Sequence, residues 1–490
     1  MKSLNTLLRG VSYLQFEGPK EQPVNELVYD SRRVGEGDCF FAVVGTASDG
    51  HDYIPKALEA GARTILCQRL PEPLAKGVSY VVVEDTNLAM AQIASNYYDN
   101  PSRELKLVGV TGTNGKTTTA TLLADLFKKL GYRTGLISTV VYRVGEREIP
   151  STHTTPDTLR LNAMMREMVD AGCDYCFMEV SSHAIAQHRV AGLTFAGGLF
   201  TYLTHDHLDY HKTFAEYLRV KKSFFDSLPK EAFALVNVDD KNGSVMVQNT
   251  AARVQTLSLR SMADFRCKII EMQLDGMLLQ LDGREVWLRQ LGRFNAYNLL
   301  TIYATALLLG ADKEEVLRLM STLDSVSGRF ETVYAPDGTV AIVDYAHTPD
   351  ALENVIRTIE EIRRPEQQLI VLCGCGGDRD RTKRPEMAQI AVRYASLAIF
   401  TSDNPRTESP EAILDDMVAG LEPSARYLRL VDRGEAIRTA ALMAKAGDIL
   451  LLAGKGHETY QVIGTENHHF DDKEEIAKAF QNLHNSPRHS

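Results

Sequence analysis

Short apolar runs alternate with stretches whose apolar positions recur at helical spacing along most of the chain. Residues 107–123, LVGVTGTNGKTTTATLL, show this most sharply, as a buried kind of strand enters a glycine-rich turn and continues as a helix. Before residue 100 the pattern predicts strands at 39–44 and 80–83 and a helix near 54–60, and YDNPSRE at 98–104 reads as a linker. Beyond it, strands at 175–180 and 233–238 alternate with helical stretches such as 158–171. A further block opens near Gly328, with strands at 340–344, 368–372, 398–401 and 448–452 separated by helices. Such alternation predicts mostly parallel sheets covered by helices. The polar tail NLHNSPRHS is expected to fray. At 490 residues the chain exceeds one hydrophobic core, and three domains are expected, at 1–100, 101–327 and 328–490.

The turn at 109–118 has the makings of a phosphate cradle. Gly109, Gly112 and Gly115 let backbone N–H groups approach phosphate oxygens, and the positive end of the following helix adds to the attraction. Lys116 is placed for the terminal phosphates and the Thr117 hydroxyl for a nucleotide-bound Mg2+. The usual spacing would put the first glycine where Val110 stands, so the candidates for that role are Gly109 and Gly112.

Composition narrows the rest. With 44% hydrophobic and 24% charged residues the chain is an ordinary globular one. No apolar run reaches the roughly 18 residues a spanning helix needs, and no cleavable leader precedes the first strand, so a cytoplasmic protein without membrane insertion is expected. The net charge of -10 and the lack of a basic stripe argue against nucleic acid. Seven cysteines, an odd number, suggest no disulfide framework; Cys173 and Cys176 form a CxxC with no second pair at zinc spacing.

In such sheets ligands gather where strands end, which gives weight to polar residues directly after apolar runs. Glu179, Ser181, Ser182 and His183 qualify, as do Asp344, Tyr345 and His347; Asp378 and Arg379; Asp403, Asn404 and Arg406; and Lys455, His457 and Glu458. Glu179 can complete the coordination of a phosphate-bound Mg2+. Within HDHLDYH at 205–211, one histidine serving a second magnesium is favoured over zinc. By composition alone, Lys221 and Lys222 read as a solvated helix face.

The order of these clusters closely resembles the Mur ligase family, which builds the peptide stem of bacterial peptidoglycan, and within it the synthetases that add the third residue. The resemblance rests on GVTGTNGKTTT at 109–119, HTTPD at 153–157, MEVSSHAIAQHRV at 178–190, DHLDYH at 206–211, GRFNAYN at 292–298, GRFE at 328–331, DYAHTPDAL at 344–352, GCGGDRDRTKRP at 374–385, DNPR at 403–406 and GKGHE at 454–458. It implies a central P-loop domain, an N-terminal UDP-sugar domain and a Rossmann-like C-terminal domain that binds the amino acid. It also implies an ATP-dependent ligase working through an acyl phosphate in cytoplasmic cell-wall precursor synthesis, expected to be a monomer. By this resemblance Gly112, Thr113, Asn114, Gly115, Lys116, Thr117, Thr118, Asn298, Arg329, Asp344 and His347 meet ATP. Lys116, Glu179, His207 and Lys221 are catalytic, with Thr117, Glu179, His207 and a carbamate on Lys221 holding Mg2+. Ser31, His153, Thr154, Thr155, Ser181, Gln187 and Arg189 hold the UDP-N-acetylmuramoyl dipeptide. Arg379, Asp403, Asn404, Pro405, Arg406, Gly454 and Glu458 take the incoming amino acid. DNPR resembles the version that selects meso-diaminopimelate, since Arg406 matches a distal carboxylate that lysine lacks. A lysine-adding synthetase and a folylpolyglutamate synthetase-like ligase are the alternatives. Tyr202 stands where the family commonly has Asn.

Overall fold

The computed structural model describes residues 1–45, 48–204 and 208–485. They form two compact units, one of Met1–Gly112, Leu123–Tyr202 and Thr213–Thr256, the other of Thr113–Leu122, Leu203–Lys212 and Leu257–Ser490. No helix among the described residues is long and apolar enough to cross a membrane.

Besides a two-stranded pairing of Lys2–Ser3 with Pro23–Val24, the first unit contains two larger sheets. The smaller holds β1 (Gln15–Glu17), β2 (Leu27–Val28), β3 (Cys39–Phe41), β4 (Thr64–Cys67) and β5 (Ser79–Val82) in the order β1-β5-β4-β3-β2, parallel except for β1. Strand alternation sends Phe41, Leu66 and Val81 to one core with Ile93 of helix α1 (Thr86–Tyr97), and Phe40, Ile65 and Tyr80 to another with Ile54 and Ala57. Asp85 caps α1 by accepting from Asn87 N at 2.8 Å and Leu88 N at 3.1 Å. The stretch 98–104, expected as a linker, is packed instead: Pro101–Arg103 forms a 3-10 turn and buried Ser102 accepts from Thr194 N at 3.0 Å.

The larger sheet is built on β6 (Lys106–Thr111), followed by helix α2 (Lys116–Lys129). Around it lie β7 (Thr134–Ile137), β8 (Val141–Val144), β9 (Arg147–Pro150), β10 (Tyr175–Glu179), β11 (Gly197–Phe200), β12 (Phe233–Asn237) and β13 (Arg253–Ser258), ordered β9-β8-β7-β10-β6-β11-β12-β13. The inner strands are parallel, so β6, β10 and β11 deliver Thr111, Glu179 and Phe200 to one edge. The antiparallel hairpin β8–β9 is not apparent from the sequence pattern, because its exposed strand carries Arg147 and Glu148.

Gly109 serves this sheet differently from its expected place in the cradle. It lies inside β6, directly paired with Gly198 of β11. A Cβ on Gly109 would come within 2.7 Å of the Phe224 ring, and one on Gly198 within 3.1 Å of it. The two glycines make a seat for Phe224 of helix α3 (Phe214–Asp226), and Lys221, one turn earlier, shares that buried face.

In the second unit β14 (Phe265–Gln273), β15 (Gly276–Leu281) and β16 (Arg284–Leu288) form an antiparallel meander, also missed in the sequence pattern, and helix α4 (Arg293–Leu308) follows. Then come β17 (Glu331–Tyr334), β18 (Val340–Asp344), β19 (Leu369–Cys373), helix α5 (Lys383–Tyr394), β20 (Leu397–Phe400), β21 (Tyr427–Arg429), helix α6 (Arg433–Met443), β22 (Ile449–Ala453) and helix α7 (Asp472–Asn485). The sheet order is β17-β18-β22-β19-β20-β21, parallel apart from edge strand β17, with apolar cores on both faces. Residues 482–485 of the expected frayed tail belong to α7, which buries Ile476, Ala479 and Phe480.

Arg433 fixes α7 in place. Its Nη2 donates to Asp472 Oδ2 at 2.6 Å and to Ala453 O at 3.1 Å, and both charged side chains are wholly buried. Arg433→Met should therefore lower folding stability by about 3–5 kcal/mol, because it leaves a buried carboxylate without its partner. Urea unfolding followed by circular dichroism measures that loss.

Candidate active site

At the end of β10, Glu179 is 1% exposed. Its Oε1 accepts from Thr139 N at 2.7 Å and its Oε2 from Thr139 Oγ1 at 3.2 Å. Thr139 Oγ1 lies 3.1 Å from Thr154 Oγ1, and Thr155 Oγ1 donates to Glu179 O at 2.7 Å while accepting from Ser181 N at 3.2 Å. Arg189 extends the network, donating to Thr155 O at 2.7 Å and through Nη2 to Gln187 Oε1 at 2.6 Å. Thr154, Thr155, Glu179, Ser181, Gln187 and Arg189 thus belong to one connected polar surface. Thr139 was missed in the sequence; its place just beyond apolar β7 is the same strand-end signal that pointed to Glu179.

His153 is exposed, with its backbone N donating to Tyr142 Oη at 3.0 Å. Ser31 is buried at the start of the 3-10 turn Ser31–Arg33, capped by Asp30. Near this turn is a cleft of about 400 Å³ lined by Tyr29, Asp30, Arg33, Tyr97, Asp157 and Arg160. Of the motifs read in the sequence, HTTPD reaches that cleft through Asp157; the other walls come from segments far apart in the chain.

Lys221 is 1% exposed, so the solvated-face reading of the sequence does not hold for it. Its Nζ donates to Gly112 O at 2.9 Å and lies 4.9 Å from the centre of the Tyr217 ring. Lys222 instead pairs with Asp226 one turn on, at 2.7 Å. Gly112 has φ +148, and a Cβ there would meet Thr201 Oγ1 at 1.9 Å and Tyr202 O at 3.0 Å, so the residue must be glycine. His205, Asp206 and His207 lie outside the described residues.

In the second unit, Lys116 Nζ donates to Thr113 O at 2.7 Å and Thr204 N to Thr113 Oγ1 at 3.0 Å. Gly115 has φ +86, Asn114 Nδ2 reaches Asp350 Oδ2 at 3.4 Å, and Thr118 is buried in the first turn of α2. Arg329 Nη2 donates to the Thr117 hydroxyl at 3.2 Å, and its guanidinium sits 4.7 Å from the centre of the Tyr345 ring. Asp344 accepts from Phe330 N at 2.7 Å and Ala346 N at 2.8 Å. Burial pushes its carboxyl up to about 6, against the pull of Arg329 and those two amides. His347 Nδ1 lies 2.8 Å from Tyr345 O. Asn298 is buried on α4, its amide donating to Asn295 Oδ1 at 3.0 Å.

The amino-acid candidates also converge. Asn404 Nδ2 donates to Glu458 Oε2 at 2.8 Å, while buried Lys455 donates to that oxygen at 3.1 Å and to Asn404 Oδ1 at 3.2 Å. Buried Asp403 faces Gly454, where a Cβ would stand 2.6 Å from its Oδ2. A Cβ on Gly376 would lie 2.8 Å from Arg406 Nη1 and 3.7 Å from Arg379 Cγ, so both arginines flank that glycine. Pro405 O lies so near Gly377 that a Cβ there would stand 1.9 Å from it. Glu408, two residues beyond Arg406, is bound instead by Arg384 at 2.8 and 3.0 Å.

Tyr345 joins the two groups. Its hydroxyl donates to Glu458 Oε1 at 3.5 Å, and its ring lies 5.0 Å from that of His457. Gly328, with φ +65, packs against the same loop: a Cβ there would meet His457 N at 2.0 Å.

Three family models match the chain: "Mur ligase family, catalytic domain" over residues 23–98, "Mur ligase middle domain" over 110–306 and "Mur ligase, glutamate ligase domain" over 328–456. A protein of Phocaeicola vulgatus named UDP-N-acetylmuramoyl-L-alanyl-D-glutamate--2,6-diaminopimelate ligase is 53% identical, covering 98% of this chain and 99% of its own. A Parabacteroides distasonis protein of the same name is 52% identical over 97% and 99%. A solved structure of a ligase with that name superposes with a TM-score of 0.71 at 31% identity, covering 99% of this chain and all of the other.

His457 gives this site a pH signature. Burial, reinforced by Arg329, His347 and Lys455, lowers its imidazole to about 3, so the folded protein leaves it neutral where the unfolded chain takes up a proton. Its contribution is fully present above the unfolded value of about 6.5 and is lost as pH falls toward 3. Replacing the ring with an amide that cannot titrate should reduce the pH slope of stability between those limits by roughly 1 kcal/mol per pH unit. Urea midpoints of His457→Gln against the parent from pH 4 to 7 test this; parallel curves would exclude it.

Proposed function

Because the chain belongs to the Mur ligase family, we propose that it uses ATP to join meso-diaminopimelate to the D-glutamyl carboxylate of UDP-N-acetylmuramoyl-L-alanyl-D-glutamate. This is a step of peptidoglycan precursor synthesis, and we assign it to the cytoplasm, where ATP and the nucleotide-linked precursor are at hand. The observation that carries the choice of amino acid is the Arg406 guanidinium beside Gly376, with the Arg379 side chain next to the same glycine, in the same unit as the Asn404–Lys455–Glu458 cluster. A cationic fork suits a carboxylate at the far end of the ligand, and Glu458 and Asn404 supply acceptors for an ammonium.

A carboxylate is a poor electrophile toward an amine. Transfer of the γ-phosphoryl group to the D-glutamyl oxygen gives an acyl phosphate; the amine then attacks the acyl carbon, the C–O bond to phosphate breaks, and the amine gives up a proton. The loop Gly112–Thr118 would receive the phosphates, with the Lys116 ammonium exchanging Thr113 O for a phosphate oxygen. Arg329 approaches the same helix start through Thr117. Asn298, Asp344 and His347 would hold the nucleoside end. Thr154, Thr155, Ser181, Gln187 and Arg189 would orient the muramoyl peptide, with His153 beside them and Ser31 at the uridine end.

The donors fit magnesium. Glu179 is a buried carboxylate whose partners among the described residues are the neutral donors of Thr139, an arrangement that leaves its charge for a cation. Thr117, Glu179, His207 and a carbamate on Lys221 would hold Mg2+, which when bound neutralises charge on the transferring phosphoryl group. Carbon dioxide added to the uncharged Lys221 amine, with loss of one proton, replaces a buried cation by a two-oxygen anion.

Phosphate release from Mg-ATP with the UDP-dipeptide, with the product followed by mass, should occur with meso-diaminopimelate and not with L-lysine. Turnover with lysine alone would reject the substrate assignment and keep the ligase. Arg406→Met should raise the KM for diaminopimelate by at least about tenfold, the equivalent of one charge-assisted contact of about 1.5–3 kcal/mol. The carbamate predicts a rate that falls in carbon dioxide-free buffer and returns on addition of bicarbonate; a rate indifferent to bicarbonate would argue for the free amine.

A further inference from the structure

We propose that Arg384 is a positioning residue that reserves Arg406 for the ligand by holding Glu408 away from it. The inference rests on the reading of Arg406 as the distal-carboxylate contact. Glu408 is an acidic side chain placed to compete: it lies two residues along the same loop, and both residues meet the dipeptide Gly376–Gly377. Arg406 Nη1 donates to Gly377 O at 2.8 Å, and a Cβ on Gly377 would lie 3.3 Å from Glu408 Cβ. A carboxylate and a guanidinium so placed would form the same bidentate pair that the ligand needs.

The structure gives Glu408 a different partner. Arg384, 1% exposed, approaches from α5 and donates through Nη2 to Glu408 Oε1 at 2.8 Å and through Nη1 to Glu408 Oε2 at 3.0 Å. Asp378 N adds a bond to Oε1 at 2.6 Å, so both oxygens are engaged. Arg384 is itself fixed by Asp416 Oδ2 at 2.7 Å and by Gly376 O at 3.4 Å. Asp416 has a second partner in Arg381, at 2.8 Å, and so keeps a countercharge when Arg384 is replaced. What Arg384 alone supplies is a two-pronged hold on Glu408.

The test is a cycle of variants assayed by phosphate release with the intact chain. Arg384→Met should raise the KM for meso-diaminopimelate about tenfold, the worth of one charge-assisted contact, with kcat and the KM for ATP and UDP-dipeptide near those of the parent. Adding Glu408→Gln to it should return the KM to within about twofold of the parent, because the competitor is gone. Adding Arg384→Met to Arg406→Met should make the KM no worse. Should Arg384→Met fold poorly, Arg384→Lys keeps the charge without the fork and should show a smaller rise that Glu408→Gln again abolishes. A rise that Glu408→Gln does not relieve, or one that adds fully to that of Arg406→Met, would overturn the proposal and leave the substrate reading standing. A parent-like KM in Arg406→Met alone would remove the substrate reading and this inference with it.

Discussion

The approach of one helix to one pair of glycines sets the position of the buried Lys221 in the first unit. Gly109 and Gly198 face each other across adjacent parallel strands, and without a Cβ on either the sheet is thin enough to seat the Phe224 ring. Helix periodicity then fixes where Lys221 goes, because a residue three positions earlier lies on the same face one turn along. Its amine reaches the carbonyl of Gly112, where the central strand gives way to the turn. A side chain on either glycine would lift the helix and carry the lysine away with it. The seating of Phe224 and the position of the Lys221 amine are the same constraint at this point.

A comparable economy holds in the second unit, where Tyr345 is a wall shared by two sets of residues. Arg329 lies over its ring, His457 packs against it, and its hydroxyl meets Glu458. Residues proposed for the nucleotide and for the amino acid therefore lean on one rigid aromatic group. Arg433 supports the strand on which the Gly454–Glu458 loop is mounted, through its bond to Ala453 O.

Much of this was legible in the sequence, for a physical reason. Fully buried parallel strands are nearly continuous apolar runs, and β6, β10, β12, β18, β19, β20 and β22 lie within a residue or so of where those runs predict them, while the short, largely exposed β21 was not predicted. The hairpin at 141–150 and the meander at 265–288 were not legible, because exposed antiparallel strands interleave charges such as Arg143, Glu148, Lys268 and Glu271 among their apolar positions. Gly109 was misread since a glycine needed for a close helix looks the same in sequence as one needed for a phosphate. The strand-end rule located Glu179, Asp344, Asn404 and Glu458. It could not reveal that Arg384 occupies Glu408, because that pairing depends on the approach of α5 to a loop more than twenty residues on.

The loops bearing Asp378 and Arg406 have a further consequence. Both residues adopt left-handed backbone angles, with φ +54 and +52, which side-chain-bearing residues seldom accept. They are held there by mutual lacing: Thr407 Oγ1 donates to Asp378 Oδ1 at 2.8 Å, Gly377 N to Asn404 O at 2.9 Å, and Arg406 N to Val462 O at 3.0 Å. The direction of Arg406 is thus stored in three separate stretches of chain. The four letters DNPR, grafted alone onto another scaffold, would carry the guanidinium without its aim; what is inherited, and what an engineer would have to transplant, is the knot.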